Sequence, residues 1–501
     1  MRPSASLGRP STAHFAKGKT LAQDDTIFND DTWCADAHAG AKMNFAAGEK
    51  FLVIGLGRSG KAVVEVLRGR GAEVYAIDEK PRAELAETIA GLEAMGAQYV
   101  APENIGELTN VTCAVLSPGV PLNGPLVRKI QSGNIPVYSE IEVAYRLCKA
   151  PIIAVTGTKG KSTTASLIGH LLRAAGKDAR VGGNIGNPLI LEAVAAPAES
   201  WVVAEVSSFQ LETIRSFHPR VSVILNISAD HLDRYHSMDE YVEAKYRIFA
   251  NQSEHDVFIA NLDDPVLAPL HWHSGEARVR AKQMWFTLGN DSKHATMYLR
   301  DGALTYSPVT GDPRPIPIAS RDDVPLAGLH NVQNVMAASL AVLAAGIEPR
   351  ELRDGIRTFG PMSHRMQPVG EVDGVLYVDD SKATNPGAVI AALRAYDKPI
   401  VLIAGGKPKN TDFTELGRIV DERARALVVI GEAADDIAAH VYRTPIERAG
   451  SMEEAVRMAQ SLAQPGDVVL LSPACASFDM FESAEDRGQK FTDAVLGTPA
   501  R

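Results

Sequence analysis

The chain has 501 residues, of which 45% are hydrophobic and 22% charged, and its formal net charge is −10. A chain of this length is expected to form about three domains, and its acidic balance argues against a general nucleic-acid binder. It has no hydrophobic run of the ~18 residues that a membrane span needs, and its four cysteines lack C-x-x-C spacing, so we expect a cytoplasmic protein without membrane insertion or a nucleic-acid partner.

The first 47 residues show little periodicity and are rich in small and polar side chains. They lack the apolar core of a secretory signal. We therefore predict a disordered or atypical N-terminal extension over residues 1–47.

A strand, a glycine turn, a helix and a second strand are predicted next. The apolar run FLVIG leads into the turn Gly55-Leu-Gly57-Arg-Ser-Gly60, and the second strand EVYAID ends at Asp78. Apolar runs at 111–116 and 135–138 add further strands. These elements predict a Rossmann-like α/β domain over residues 48–140.

Two more α/β domains follow. Residues 141–360 contain the strands PIIAVTG, WVVAEVSS and VSVILNIS and close with the helical stretch NVQNVMAASLAVLAAG. In residues 361–501 strand patterns return at VLYVDD, IVLIAGG, ALVVIG and VVLLSP, each followed by helical sequence. Strands that alternate with helices predict parallel sheets in both domains.

The segment AVTGTKGKST at 154–163 lies between a predicted strand and a predicted helix. In that position backbone N–H groups and the helix N-terminus can hold phosphates. Lys161 would neutralise phosphate charge, and Ser162 would bind Mg²⁺. The segment is not a standard Walker A motif, because the first glycine of that motif would fall at Val155.

Polar side chains follow the two neighbouring strands of the same domain. Glu205 comes after WVVA, and Asp230 and His231 follow VSVILN. Carboxyl ends of parallel strands meet at one edge of a sheet, so these side chains are expected near the phosphate loop.

The ordered motifs TGTKGKSTT, GGNIGNP, EVSSFQLE, NISADHLDRY, YVEAKYRIF, GLHNVQNVMAA, SHRMQ, DDSKATNP, LSPACASFDMFE and RGQKF span the chain. Together they resemble the Mur ligases, in the branch that adds D-glutamate. The resemblance covers about residues 48–495. It implies a Rossmann-like N-terminal UDP-binding domain, a central P-loop ATPase-type domain with a parallel sheet, and a Rossmann-like C-terminal domain that binds the amino acid.

The resemblance also implies a reaction. ATP would phosphorylate the carboxylate of UDP-N-acetylmuramoyl-L-alanine, and the amino group of D-glutamate would attack the acyl phosphate, leaving ADP and phosphate, in peptidoglycan precursor synthesis. A carboxylate is a poor electrophile until its oxygen becomes part of a phosphate leaving group, and the anionic transition states need cations around them. We expect a monomer that uses ATP and two Mg²⁺ ions.

Site residues implied by the resemblance fall into five groups. Those expected at ATP are Gly157, Thr158, Lys159, Gly160, Lys161, Ser162, Thr163, Asn331, Asn334, Arg365, Asp380 and Lys382. Those expected to hold the metal are Ser162, Glu205, His231 and Lys245. The catalytic group is Lys161, His231 and Lys245. Lys245 is expected to be carbamylated, because a lysine ammonium cannot bind a cation.

The remaining implied residues bind the two other substrates. The UDP-substrate group is Ser59, Gly60, Asp78, Gly119, Asn184 and His231, with Arg58 and Lys80 adding positive charge. The D-glutamate group is Lys382, Thr384, Lys409, Ser477 and Phe478. Lys159 departs from the asparagine common at its position in this family.

Three alternatives stay open at this point. The glycine turn at 55–60 with Asp78 also fits a nicotinamide-dependent oxidoreductase, although that leaves the loop at 154–163 unexplained. Folylpolyglutamate synthase or another Mur ligase shares the fold but matches the motifs EVSSFQLE and DDSKATNP less well. A non-catalytic UDP-sugar sensor would not need Lys161, Glu205, His231 and Lys245 together.

Overall fold

The structure is a computed structural model that describes residues 43–230, 234–272, 279–308, 314–326, 328–360, 363–408 and 411–497. The extension before residue 43 and the predicted site residues His231 and Lys409 lie outside the described residues. Within these ranges, no helix combines the length and the apolar character that crossing a bilayer requires.

The first unit is a five-stranded parallel sheet with the order β3-β2-β1-β4-β5. Its strands are β1 (Lys50–Ile54), β2 (Glu73–Ile77), β3 (Gln98–Tyr99), β4 (Cys113–Leu116) and β5 (Val137–Ser139). Its helices are α1 (Arg58–Gly69), α2 (Ala86–Ala94), α3 (Pro125–Ser132) and α4 (Glu140–Leu147). The strand order reverses between β1 and β4, which is where an open α/β sheet forms its ligand crevice.

The packed part of this unit begins before residue 48. Phe45, which falls in the predicted extension, is 1% exposed and stacks on Phe51 with ring centroids 5.4 Å apart. Arg70 Nε donates to the carbonyl oxygen of Phe45 at 2.7 Å. The residues just before β1 are therefore part of the first hydrophobic core.

The second unit has a nine-stranded sheet with the order β14-β13-β12-β11-β10-β9-β6-β8-β7. Its strands are β6 (Ile152–Thr156), β7 (Ala179–Gly183), β8 (Trp201–Glu205), β9 (Val221–Ile224), β10 (Val257–Asn261), β11 (Lys282–Thr287), β12 (Met297–Arg300), β13 (Ala303–Tyr306) and β14 (Ile316–Ser320). Its helices are α5 (Lys161–Ala174), α6 (Leu189–Ala195), α7 (Ser208–Leu211), α8 (Met238–Tyr246), α9 (Ala268–Trp272), α10 (Leu329–Ala344) and α11 (Leu352–Thr358). Strands β6 to β12 pair in parallel, and β13 and β14 add an antiparallel edge.

The third unit has a six-stranded sheet with the order β15-β16-β20-β17-β18-β19. Its strands are β15 (Gln367–Val372), β16 (Val375–Asp379), β17 (Ile400–Gly405), β18 (Ala424–Ile430), β19 (Ile446–Ala449) and β20 (Val468–Leu471). Its helices are α12 (Pro386–Arg394), α13 (Thr414–Arg423), α14 (Ala434–Ala438), α15 (Met452–Leu462) and α16 (Ala484–Leu496). All pairs are parallel except β15 with β16. The predicted fold class, three α/β units with mainly parallel sheets, is confirmed.

Strand register brings the predicted polar residues together. In the second unit β6 pairs with β8 and β9, so Val155 lies opposite Glu205 and Thr156 opposite Ile224. The segments after these strands therefore leave the sheet at one edge, beside the phosphate loop. In the third unit Asp379 lies opposite Leu471, which places the loops after β16 and β20 side by side.

Candidate active site

The phosphate loop between β6 and α5 depends on two glycines. Gly157 and Gly160 have φ angles of 151° and 84°, a backbone that other residues rarely adopt. A side chain at Gly160 would also collide with the amide oxygen of Asn334. Glycine at these positions therefore lets the loop turn tightly and lie against α10.

Lys161 folds back over its own loop. Its Nζ donates to the carbonyl oxygens of Gly157 and Thr158 at 2.9 and 3.0 Å. Burial lowers the pKa of Lys161 below its ordinary value, while the charges of Glu205 and Asp230 act in the opposite direction. The loop thus holds a cation where phosphate oxygens are expected.

Asn226, which the sequence analysis did not single out, fixes the loop from the end of β9. Its Oδ1 accepts from Lys159 N at 2.8 Å, and its Nδ2 donates to Lys159 O at 3.1 Å. The Lys159 side chain is exposed and its Nζ reaches the carbonyl oxygen of Gly387 in α12 at 3.4 Å. The only sequence signal for Asn226 is its position directly after a buried strand.

Glu205 lies at the end of β8 and is 1% exposed. Its Oε1 accepts from Asn184 Nδ2 at 2.9 Å, whereas its Oε2 is buried without a hydrogen-bond partner among the described residues. A buried carboxylate oxygen without a donor is costly unless a cation is present. Glu205 therefore suits a metal ion, the role that the resemblance implies for it.

No group of three His, Cys, Asp or Glu side chains comes together as a metal site in the part of the chain that the structure describes. The predicted ligand set contains one such residue in that part, Glu205, because His231 falls outside it. Ser162, a third member of the set, accepts a hydrogen bond from Arg365 at 3.2 Å.

Lys245, the fourth, is 1% exposed in α8. Its Nζ donates to the carbonyl oxygen of Gly157 at 3.0 Å and lies 4.5 Å from the centre of the Tyr241 ring. Burial, and after it the charge of Lys161, lower the pKa of Lys245 well below its ordinary value. The Lys245 side chain therefore lies at the phosphate loop.

Two buried amides of α10 lie beside the loop. Asn334 Nδ2 donates to Asn331 Oδ1 at 3.0 Å. Thr158 accepts from the backbone N–H of Ser228 at 3.0 Å, and Thr163 is half-buried in the first turn of α5. Of the residues predicted at ATP, Asn334 therefore lies against Gly160 of the phosphate loop, and Asn331 contacts Asn334.

The third unit reaches the same place with Arg365. The guanidinium spans from the loop before β15 to Ser162, and its Nε is buried without a partner among the described residues. Asp380 accepts from Ser472 Oγ at 2.9 Å and from Met366 N at 3.2 Å, and burial raises its pKa to about 7. Both residues were predicted on the nucleotide side.

Of the residues predicted to bind D-glutamate, those that the structure describes follow β16 and β20. Lys382 pairs with Glu485 at 3.2 Å, and Thr384 is half-buried two residues further along the chain. Ser477 is 2% exposed, but Phe478 is 71% exposed. The Phe478 ring therefore lies on the protein surface, whereas Ser477 beside it is buried.

A cleft of about 720 Å³ lies against the first unit, between the ends of β1 and β4 and the loop after β7. Of the predicted residues, Ser59, Asp78, Gly119 and Asn184 line it, together with Arg58 and Lys80. Gly60 does not line the cleft; instead, a side chain there would collide with the carbonyl oxygen of Gly55. Glycine at position 60 therefore allows α1 to pack closely against the end of β1.

Asp78 holds the glycine turn of this cleft, because its Oδ2 accepts from Leu56 N at 2.7 Å. Arg58 donates to the carbonyl oxygen of Gly186 in the second unit. Because Asn184 both lines the cleft and binds Glu205, it connects the cleft to the phosphate loop.

Family models match all three units. The descriptions are "Mur ligase MurD-like, N-terminal domain" for residues 49–139, "Mur ligase middle domain" for residues 155–342 and "Mur ligase, glutamate ligase domain" for residues 364–475.

Curated relatives are similar over nearly the whole chain. A protein of Pelotomaculum thermopropionicum named UDP-N-acetylmuramoylalanine--D-glutamate ligase is 44% identical over 456 residues, which are 89% of this chain and 97% of the relative. Proteins of the same name are 41% identical in Koribacter versatilis (89% and 97% covered) and Geobacter metallireducens (91% and 99% covered).

Solved structures share the fold. UDP-N-acetylmuramate-alanine ligase MurC of Thermotoga maritima aligns with a TM-score of 0.56 at 18% identity, over 90% of this chain and all of that chain (100%). A pseudomurein peptide ligase type C of Methanothermus fervidus aligns with a TM-score of 0.54 at 18% identity, over 89% and 99%.

Proposed function

Because the chain belongs to the Mur ligase family, we propose that it joins D-glutamate to UDP-N-acetylmuramoyl-L-alanine and converts ATP to ADP and phosphate, in peptidoglycan precursor synthesis. The observation that carries the proposal is the 44% identity to a D-glutamate ligase over 97% of that relative's length. The match extends through all three units, so it includes both the phosphate loop and the amino-acid side.

The reaction proceeds in two steps. First, a carboxylate oxygen of the alanyl group attacks the γ-phosphorus of ATP, which gives an acyl phosphate and ADP. Lys161, Arg365 and the backbone N–H groups at the start of α5 neutralise the charge that spreads over the transferred phosphoryl group. Second, the amino nitrogen of D-glutamate attacks the acyl carbon, loses a proton, and phosphate leaves.

Mg²⁺ fits this chain because Glu205 Oε2 is a buried oxygen without a donor among the described residues. We propose that Ser162, Glu205, His231 and Lys245 hold two Mg²⁺ ions. Bound Mg²⁺ would supply positive charge for the phosphate and acyl oxygens. Asn184 fixes the orientation of the Glu205 carboxylate through its hydrogen bond to Oε1.

Lys245 is proposed to carry a carbamate. An ammonium has three donors and no acceptor, so it cannot bind a cation. Burial favours the neutral amine of Lys245 by lowering its pKa, and a neutral amine is the form that adds carbon dioxide. The product is an anion with two oxygens beside the phosphate loop.

The three substrates are proposed to occupy three neighbouring places. The 720 Å³ cleft takes the uridine diphosphate, since its glycine turn and the N-terminus of α1 suit a pyrophosphate. Asn331 and Asn334 take the adenine, and the loops with Lys382, Thr384, Lys409 and Ser477 take the two carboxylates of D-glutamate. We propose that residues 48–140, 141–360 and 361–501 form the corresponding domains, and that the enzyme is a cytoplasmic monomer.

Phosphate release from ATP tests the proposal directly. The assay contains UDP-N-acetylmuramoyl-L-alanine and, separately, D-glutamate, L-glutamate, L-lysine or meso-diaminopimelate. We expect release with D-glutamate only. Comparable turnover with L-lysine or diaminopimelate would overturn the substrate assignment, and oxidation of NADH or NADPH would instead support the oxidoreductase alternative.

A further inference from the structure

The RGQKF motif in α16 contributes no residue to the proposed binding sites. Its first two residues, Arg487 and Gly488, nevertheless face the loops that carry those sites. Arg487 is fully buried, at 0% exposure. Keeping a guanidinium out of water is costly unless its donors are satisfied.

Arg487 connects two loops of the amino-acid side. Its guanidinium donates to Ser381 O at 2.7 Å and Ser381 Oγ at 2.9 Å, and to Cys475 O and Ala476 O at 3.2 and 3.3 Å. Ser381 and Ala476 directly precede Lys382 and Ser477. One planar, rigid group therefore sets the spacing between the two loops that we propose for D-glutamate.

Gly488 supports the nucleotide side. A side chain at this position would overlap His364 Nδ1 and come within 2.6 Å of Asp379 Oδ2. His364 Nδ1 and Asp379 Oδ2 are themselves 2.6 Å apart, and Asp379 is fully buried. The pair therefore packs directly against the backbone of α16 at Gly488.

The His364–Asp379 pair holds the loop that presents Arg365. His364 and Met366, on either side of Arg365, have φ angles of 61° and 45°, which cost energy for residues other than glycine. Such backbone persists only where surrounding contacts enforce it. The contacts here are the pair itself, the bond from Met366 N to Asp380, and the backbone bonds of His364 with Gln367 Oε1 and Lys382 N. Asp379 also accepts from Ser381 N at 2.9 Å. The loop that carries Arg365 and the loop that carries Lys382 therefore both contact the Asp379 carboxylate.

We propose that Arg487 and Gly488 are positioning residues for the reaction: Gly488 seats the His364–Asp379 pair that aims Arg365 at the phosphates, and Arg487 sets the two loops that receive the amino acid. The inference rests on the proposed function, because it assigns the loops to ATP and D-glutamate. It adds that one turn of α16, which itself contacts neither ATP nor D-glutamate, positions the loops that bind both.

Gly488→Ala is the first test. In an ordinary helix interior this change raises thermal stability, because alanine is the better helix former. Here we expect no such gain, and we expect the KM for ATP to rise about ten-fold or more, since small displacements of a phosphate contact are expensive. Gln489→Ala, on the exposed next position of α16, is the matched control and should leave the KM for ATP unchanged. A higher melting temperature with an unchanged KM for ATP would overturn the proposal.

A double substitution tests the route of the effect. In a His364→Ala background the added methyl group of Gly488→Ala has lost its main obstacle, so we expect it to change the KM for ATP less than about two-fold. Independent, additive effects of the two substitutions would contradict positioning through His364.

Arg487→Lys tests the amino-acid side, because a lysine keeps the charge but not the planar fork. We expect the KM for D-glutamate to rise about ten-fold or more, with a smaller change for ATP; equal changes in both would contradict the assignment. Thermal unfolding and far-UV circular dichroism, compared with those of the wild type, report whether the third unit of the variant is folded. If the variant is not folded, the two Gly488 experiments test the proposal in its place.

A wild-type enzyme without D-glutamate-dependent phosphate release would refute the proposed function alone, since the ATP affinity of the Gly488 variants stays measurable by calorimetry.

Discussion

Lys161 and Lys245 donate to the same acceptor, the carbonyl oxygen of Gly157, at 2.9 and 3.0 Å. Two ammonium groups on one neutral oxygen in a buried site repel each other. Besides burial, the charge of Lys161 lowers the pKa of Lys245. Conversion of Lys245 into a carbamate would turn this repulsion into attraction. The arrangement therefore favours modification of Lys245 and retention of the Lys161 cation.

Substitution of Lys245 tests this interpretation. We expect Lys245→Ala to lower turnover about 10²- to 10³-fold while the melting temperature and ATP binding stay near wild type. Lys245→Arg should not restore activity, because a guanidinium does not form the carbamate, whereas acetate added to the alanine variant should restore part of it. Turnover of Lys245→Arg close to that of wild type would refute the carbamate.

The second prediction concerns Glu205, whose Oε2 has no hydrogen-bond partner within the part of the chain that the structure describes. Glu205→Gln keeps the shape of the side chain and places an amide where the anion was, so the Mg²⁺ concentration for half-maximal phosphate release should rise about ten-fold or more. Glu212→Gln serves as a control, since Glu212 is engaged by Arg234 and Tyr235 instead. An unchanged Mg²⁺ requirement in Glu205→Gln would argue against a metal at this carboxylate.

The glycine turn of the first unit gives a matched pair of substitutions. A side chain at Gly60 would collide with the carbonyl oxygen of Gly55, whereas one at Gly57 meets nothing within 4 Å. We therefore expect Gly60→Ala to lower the free energy of unfolding by about 1–3 kcal/mol, and Gly57→Ala to leave it near wild type. Thermal unfolding followed by circular dichroism would measure both. Equal melting temperatures for the two variants would contradict the close approach of α1 to β1.

Glu140 should make stability depend on pH. This carboxyl is 1% exposed, accepts from Ile190 N at 2.7 Å, and burial raises its pKa to about 7. Because the folded state then holds a proton that the unfolded state has released, stability falls as the pH rises from the ordinary carboxyl range to about 7. The loss of stability caused by Glu140 is therefore absent at acid pH and complete at weakly alkaline pH.

Glu140→Gln removes the ionisation and so tests that sign. We expect the variant to gain stability relative to wild type at about pH 8, by at most ~3 kcal/mol, and to gain less at about pH 5. Glu87→Gln on the exposed face of α2 should shift the melting temperature equally at both pH values. A Glu140→Gln difference that does not change with pH would contradict the prediction.

Buried apolar runs made much of the fold predictable. β1, β6, β8 and β17 are continuous hydrophobic stretches, and each was predicted. β3 was missed because it has two residues, and the antiparallel strands β13 and β14 were missed because their sequences are part-exposed and carry no long apolar run. The edge of the central sheet is therefore set by pairing with neighbours and not by local pattern.

The proximity of candidate residues was predictable where polar side chains follow a strand end. Lys161 and Glu205 come together because their segments leave one edge of the central sheet, whereas Lys245, which only the family resemblance implied, reaches the phosphate loop from α8. Contacts between distant segments gave no local signal, as for Gly488 with His364 or Arg487 with Ser381. The exposure of Phe478 was likewise not readable from its motif, because it depends on how the third unit folds around Ser477.

The packing of Phe45 on Phe51 has a practical consequence for shortened versions of the protein. A chain that starts at residue 48 would lose the Phe45 ring and leave the face of Phe51 to water, a loss of about 3–5 kcal/mol for a buried aromatic ring. It would also remove Asn44 and Ala46, whose N–H groups donate to the Glu49 carboxylate at 3.1–3.2 Å. An affinity tag or protease site intended to leave the enzyme intact therefore belongs ahead of Met43.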